Sequence, residues 1–223
     1  MPSVGLRQPY AAIVAGGRGP LPGRFRTAKL VVCADGGASR AYRAGWTPHV
    51  VVGDWDSLDP KLTDWLVQVG AERIRYPADK DKTDAELAVD VVADRGFRTA
   101  YLLGGLGKRV DHELANLLLP HYAAERGVDL RVVAGGTVVQ LVRGRVQLDA
   151  RGGDWVSLFS LCPQSVGIYT GGLRFALVDG TLKFGSTLGV SNEVTEEPAW
   201  VEVQQGELLA VRVRQLRARP KGG

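Results

Sequence analysis

The chain has 223 residues, a net charge of +4 and 45% hydrophobic residues, enough for one large core or two modest ones. No run is long enough to span a membrane, and Met1 to Arg7 lack the basic-then-apolar pattern of a secretory leader. The two cysteines, Cys33 and Cys162, argue against a disulfide framework or a cysteine metal site and fit buried thiols in a reducing cytoplasm.

Five cations, Arg212, Arg214, Arg217, Arg219 and Lys221, follow Glu207 with no acid among them. They outnumber the net excess, so the basic balance belongs to the C-terminus. Such a tail reads as a solvated end. Nucleic acid is not an expected partner, because no aromatic residues interleave with the basic ones as stacking on single strands requires.

In chain order, Ala11 to Ala15 read as a strand running into Gly16-Gly17-Arg18-Gly19-Pro20, a loop rich in breakers. Leu30 to Ala34 are a second buried strand, ending at Asp35-Gly36-Gly37, and Arg40 to Ala44 read as a helix that stops at Gly45. His49 to Gly53 form the third strand. Pro60 opens a helix to about Val69, and Glu72 to Tyr76 are a fourth strand. Thr83 and Glu86 fit a capping box, which starts a helix at Asp84 with Leu87, Ala88, Val91 and Val92 on its buried face. Arg98 to Leu103 are a fifth strand, followed by Gly104-Gly105-Leu106-Gly107-Lys108-Arg109. A helix from Val110 carries Leu114, Leu117 and Leu118 at helical spacing, and Leu130 to Ala134 close the series.

Alternating strands and helices predict a parallel α/β sheet, with all strand C-termini on one edge. After Gly135 the pattern changes to short runs separated by Gly and Asp: 138–142, 145–148, 155–161, 167–169, 199–203 and 208–213. Those predict an all-β sandwich or small barrel. The expected division is a parallel-sheet α/β domain over 1–135 and a β-sandwich over 136–223 carrying the basic tail.

The densest chemistry is in Val50-Val51-Val52-Gly53-Asp54-Trp55-Asp56-Ser57. A β-branched run delivers two carboxylates at the carboxyl end of a strand, where open α/β sheets bind ligands. Two acids so close repel unless a cation or proton intervenes, and a divalent cation with phosphate oxygens as its other ligands resolves this. Asp35, Asp84 and the turn from Gly104 to Arg109 should reach the same rim. Acids can hold a metal there, while cations and helix N-termini hold phosphates. No Gly-x-x-x-x-Gly-Lys-Ser/Thr occurs, which argues against a P-loop kinase. His112 and His121 share no face with a third metal ligand.

Taken together, Ala34-Asp35-Gly36-Gly37, Gly53-Asp54-Trp55-Asp56-Ser57, Lys80-Asp81-Lys82-Thr83-Asp84 and Gly105 through Asp111 form an ordered series. It continues with Gly172-Leu173-Arg174-Phe175, Phe184-Gly185-Ser186 and Val190-Ser191-Asn192-Glu193. The series resembles the thiamine pyrophosphokinase family over nearly the whole chain. The resemblance implies an N-terminal nucleotide-binding α/β domain, a C-terminal β-sandwich and a homodimer with active sites between subunits. It implies transfer of the diphosphoryl group of ATP to thiamine, giving thiamine diphosphate and AMP. Asp54, Asp56 and Asp84 would hold Mg2+, and with Asp111 form the catalytic set. Asp35, Asp81, Lys82, Thr83, Arg109 and Asp111 would surround ATP. Ser186, Ser191 and Asn192 would line the thiamine pocket, with Phe175 packing on the vitamin's rings. Three positions depart from the family: Trp55 where Phe is usual, Phe175 where some members have Trp, and Gly189 where some have Ser.

Two other functions stand beside this one. A pyrophosphokinase for a hydroxymethyl pterin would keep the paired acids but not Ser191-Asn192 on a β-sandwich. A non-catalytic nucleotide- or thiamine-binding protein would need the fold but not three converging acids.

Overall fold

The computed structural model describes residues 6, 8–54, 59–77, 79 and 81–215. The fold is mixed α/β with a large sheet. Its contacts divide into two compact units, Met1–Gly135 and Gly136–Gly223.

The first unit holds six parallel strands: β1 (Ala11–Val14), β2 (Leu30–Ala34), β3 (Val50–Gly53), β4 (Glu72–Arg75), β5 (Thr99–Leu103) and β6 (Asp129–Ala134). Their spatial order is β6-β5-β1-β2-β3-β4. The runs of Val, Ile, Leu and Ala in β1, β2 and β3 are buried at every position, as expected of strands covered on both faces. β4 is exposed or half-buried, as suits an edge.

Four helices connect them: α1 (Gly37–Arg43), α2 (Pro60–Gln68), α3 (Asp84–Asp94) and α4 (Val110–Glu125). Local chemistry fixes their starts. Asp59 caps α2 by accepting from the Lys61 N–H at 2.8 Å, with Pro60 at the first helical position. Thr83 Oγ1 accepts the Glu86 N–H at 3.2 Å and starts α3. Such a cap is worth about 1 kcal/mol. Leu87, Ala88, Val91 and Val92 are buried as their spacing predicts.

α4 departs from its apolar spacing. Leu114 and Leu118 are exposed, and the buried positions are Asn116, Leu119, Pro120 and Ala123. The helix is turned so that Asn116 Nδ2 donates to the Gly105 carbonyl at 2.7 Å. A buried amide with a partner outweighs the spacing of the leucines as a guide to which face turns inward.

The second unit is all β: β7 (Thr137–Gln147), β8 (Trp155–Ser160), β9 (Gln164–Gly171), β10 (Gly180–Lys183), β11 (Asn192–Glu193) and β12 (Trp200–Val213). The runs 138–142 and 145–148, expected as two strands, are one strand that continues through Gly144. The runs 199–203 and 208–213 likewise join into β12. The polar stretch Gln204 to Glu207 looks like a turn, but β12 absorbs it as a register shift between Val203 and Leu208. At that shift β12 changes partner from β9 to β8 while β7 stays paired along its other side. Val142, Val156, Ile168, Val201 and Leu208 make the core of this unit.

Arg212, expected in a solvated tail, is buried in β12. Its Nε donates to the Asp149 carbonyl at 2.8 Å, and one terminal nitrogen donates to the Gly136 carbonyl at 2.9 Å. The Asp154 carboxylate lies 3.8 Å away. Arg217, Arg219 and Lys221 lie outside the described residues.

Candidate active site

The strand order reverses direction between β1 and β5, the switch point at which open α/β sheets bind ligands. Here the Gly17 N–H donates to the Gly104 carbonyl at 2.8 Å, and the Arg18 N–H donates to the Leu106 carbonyl at 3.2 Å. The two loops touch backbone to backbone. A Cβ on Gly17 would sit 2.2 Å from the Gly104 oxygen, so only glycine fits.

A cleft of about 400 Å3 opens beside this contact. The chain ends of four strands and the starts of two helices line it. Gly16 and Gly17 come from β1, Asp35 from β2, Asp54 from β3 and Gly104 to Leu106 from β5. Thr83 and Asp84 begin α3, and His112, Glu113 and Asn116 belong to the first turns of α4. Asp35, Asp54, Thr83, Asp84 and Arg109, expected on one rim, all line this cleft. Asp35 holds a positive φ of 44°, a conformation few non-glycine residues adopt and one that gathers at functional sites. Asp56, with Trp55 and Ser57, lies outside the described residues.

Asp81 and Asp111 are exposed and do not line the cleft. Asp111 acts on it through a neighbour. The Arg109 guanidinium donates to both its carboxylate oxygens, with Nε to Oδ1 at 3.1 Å. That pair, helped by the His112 N–H, holds the Asp111 carboxyl down at about 2. Arg109 is raised in turn by the hydrogen bond and the charge of Asp111. Both side chains are solvated, so the pair orients Arg109 more than it stabilises the fold.

The turn before α4 is held from the helix. Glu113 Oε1 accepts the N–H groups of Gly107 at 2.9 Å and Lys108 at 2.8 Å, while Asn116 holds the Gly105 carbonyl. Neither residue was expected from the sequence. The available signal was position: Glu113 and Asn116 lie four and seven residues after Arg109, on one helix face.

Lys82 also lines the cleft, but its ammonium is tied elsewhere. Nζ donates to Asp90 Oδ2 and to the Tyr122 hydroxyl, both at 2.7 Å, with Glu86 at 3.6 Å. The hydrogen bond to Asp90, then that to Tyr122, raises the Lys82 ammonium above its ordinary value. Asp90 also meets Arg126 at 2.6 Å. Lys82 therefore fastens the segment before Asp84 to α3 and α4.

In the second unit, Asn192 clamps the segment that carries Phe175. Its Oδ1 accepts the Phe175 N–H at 3.0 Å and the Glu193 N–H at 2.9 Å, and its Nδ2 donates to the Phe175 carbonyl at 2.7 Å. The Phe175 ring is left 66% exposed. Ser191 has a positive φ of 61° and donates its N–H to Ser157 Oγ at 3.0 Å. Ser186 Oγ accepts the Leu188 N–H at 3.2 Å within its own turn. The structure thus joins Phe175 and Asn192 directly, with Ser191 next to Asn192 in the chain.

Two family descriptions match successive parts of this chain. Residues 23–154 match the thiamin pyrophosphokinase catalytic domain, and residues 145–208 match the thiamin pyrophosphokinase vitamin B1 binding domain. The chain belongs to the thiamin pyrophosphokinase family. Among its relatives, thiamine pyrophosphokinase 1 of Oryza sativa subsp. japonica is 28% identical over 92% of this chain and 88% of its own length. Thiamine pyrophosphokinase of Bacillus subtilis (strain 168) is 26% identical over 82% of this chain and 86% of its own. Among solved structures, thiamin pyrophosphokinase from Geobacillus thermodenitrificans superposes with a TM-score of 0.80 at 28% identity, over 94% of this chain and all of that one. The Bacillus subtilis structure gives 0.81 at 22% identity, over 93% and all, which speaks for the fold alone.

The described acids of the cleft fit a hard cation. Asp54 and Asp84 offer only oxygen and share one cleft, leaving coordination positions for phosphate oxygens and water. Among the described residues no group of three or more His, Cys, Asp or Glu forms a metal centre by itself.

Proposed function

We propose that this chain transfers the diphosphoryl group of ATP to the hydroxyl of thiamine, releasing AMP. The observation that carries the reading is the succession of a catalytic-domain match and a vitamin B1 binding-domain match along one chain. The first unit is then the ATP- and Mg2+-binding catalytic domain, and the second, read as a β-sandwich, the thiamine-binding domain. The pterin reading loses ground because the second match is to a B1-binding domain. The non-catalytic reading does not call for carboxylates from the end of β3 and the start of α3 to share one cleft.

The thiamine hydroxyl attacks the β-phosphorus of ATP. A new oxygen–phosphorus bond forms, the bond from the β-phosphorus to the α,β-bridging oxygen breaks, and AMP departs with that oxygen. The hydroxyl proton passes to a carboxylate, Asp84 of the cleft or Asp56. Arg109, oriented by Asp111, donates to phosphate oxygens, and Glu113 and Asn116, by engaging the Gly107 and Lys108 N–H groups and the Gly105 carbonyl, fix the turn that carries it. Lys82, tied to Asp90 and Tyr122, and the Thr83 cap keep Asp84 in place at the helix start. Asp54, Asp56 and Asp84 would hold Mg2+, which neutralises diphosphoryl charge when bound. Phe175, Ser191 and Asn192 receive thiamine, with the ring of Phe175 facing the thiazolium cation.

Family resemblance extends the reading to a cytoplasmic homodimer. A second copy would cover apolar surface such as the exposed Val110, Leu114 and Leu118 stripe of α4. No described helix is long and apolar enough to cross a membrane.

The test is product identity. Given ATP, Mg2+ and thiamine, the protein should release AMP and thiamine diphosphate in equal amounts. Release of ADP, or AMP release that does not depend on thiamine, would overturn the reading.

A further inference from the structure

A second cavity, of about 490 Å3, adjoins the catalytic cleft in the first unit. Its lining includes Gly16, Gly17 and Gly19 from the loop after β1, Arg40 and Arg43 from α1, and Lys108 from the loop after β5. Three cations and no carboxylate appear among its described lining residues. Arg40 is accounted for as a strut. It is buried, and its two terminal nitrogens donate to the Ala15 and Gly19 carbonyls, both at 2.6 Å. Burial first, then the charge of Arg43, pull its guanidinium below the ordinary arginine value. A guanidinium carries five N–H groups, so donors remain after these two bonds.

Arg43 and Lys108 have no such explanation. Among the described residues neither forms an ion pair, although both stand near a buried positive charge. Three like charges around one concavity raise its potential for anions and gain from a counter-ion. α1 ends here, and the negative end of a helix disfavours an anion. Arg26 offsets that by donating to the carbonyls of Ala44 at 3.0 Å and Gly45 at 2.6 Å.

We propose that this cavity is an accessory site for a phosphate-class anion, a free diphosphate or the phosphoryl tail of a nucleotide or of thiamine diphosphate. Gly16, Gly17 and Lys108 line both cavities, so an anion here shares a wall with the catalytic cleft. An occupant would draw Lys108 toward itself and away from the other side of that wall. This goes beyond the proposed reaction and does not depend on it.

The experiment is calorimetric titration of the full chain with inorganic diphosphate at low salt. It is run alone, and again with the cleft filled by Mg2+ and an ATP analogue bearing a methylene between the α- and β-phosphorus. Diphosphate should bind in both runs. Arg43→Ala should weaken it about tenfold or more, the loss of one charge-assisted hydrogen bond. Arg43→Lys should restore most of the affinity. Lys61→Ala, which removes an equal charge from an exposed position on α2, should change it less than twofold. Repeating the Arg43→Ala comparison with AMP and with thiamine diphosphate identifies which phosphoryl source the site takes. Loss of diphosphate binding once the cleft is filled, or equal effects of Arg43→Ala and Lys61→Ala, overturns the proposal. If the analogue itself fails to bind, the catalytic reading is what fails, and the titration without it still decides the accessory site.

Discussion

The two units present their candidate ligand groups in opposite ways. In the first, Asp35, Asp54, Thr83, Asp84 and Arg109 come from separate strand and helix ends and meet in one cleft. In the second, Phe175 and Asn192 belong to segments held to each other, and the aromatic ring stands exposed. A parallel sheet gathers its loops on one edge because all its strands run the same way, so chemistry spread from Asp35 to Arg109 can be concentrated without a dedicated scaffold. An antiparallel unit has no such edge, and a pocket wall there must be built locally from turns and side-chain clamps. Phosphate chemistry should therefore fail abruptly when one rim residue changes, and vitamin recognition should fail in small steps.

The largest effect is expected at the rim. Asp54→Asn and Asp84→Asn should each lower kcat by about a thousandfold, the scale of losing a charge that organises the transition state, with the melting temperature little changed. Chelation of Mg2+ should do the same to the unaltered protein. Steady-state rates of AMP release read both, and full activity in either variant would break the assignment of catalysis to the first unit. The next effect is on the frame. Gly17→Ala drives a Cβ against the Gly104 carbonyl and should destabilise the protein by about 1–3 kcal/mol. That is a drop of several degrees in Tm for a chain of this length. An unchanged Tm would mean that the contact between the loops after β1 and β5 is slack.

The sequence made this difference legible only in part. The β-branched runs of β1, β2 and β3 announced buried parallel strands, and Asp54 after Gly53 announced a strand-end site, because period and position follow from backbone geometry. The Thr83 cap was visible for the same reason. The role of the Lys82 ammonium was not, because its partners Asp90, Tyr122 and Glu86 sit on α3 and α4 and nothing local ties them together. Asn116 was hidden by the leucines around it, whose spacing suggested a different buried face. In the second unit the joining of two runs into β12 is not legible, since a polar register shift and a turn share the same residue types.

A smaller effect should follow Asn192→Ala. The substitution removes two hydrogen bonds that hold the Phe175 backbone to β11 and a third, to the Glu193 N–H, within β11. It should raise KM for thiamine about tenfold while KM for ATP moves less than twofold. Varying each substrate in turn separates the two. Equal rises in both would show that the units do not divide the substrates between them.

The smallest effect, and the sharpest probe of the second unit, is at Phe175. A ring face opposite a thiazolium gains roughly 0.5–2 kcal/mol, and indole is the strongest of the three aromatic partners. Phe175→Trp should lower KM for thiamine about two- to threefold, and Phe175→Leu should raise it several-fold despite similar apolar bulk. The ring is exposed in this chain, so either exchange leaves the core of the second unit intact. If Leu and Trp serve equally well, the ring contributes surface burial alone. The cationic ring of the vitamin would then have to be recognised by charge or hydrogen bonding elsewhere in the pocket. If Trp binds tighter and Leu weaker, the attraction is electrostatic, and Phe175 sets thiamine affinity below what the same backbone could reach with indole.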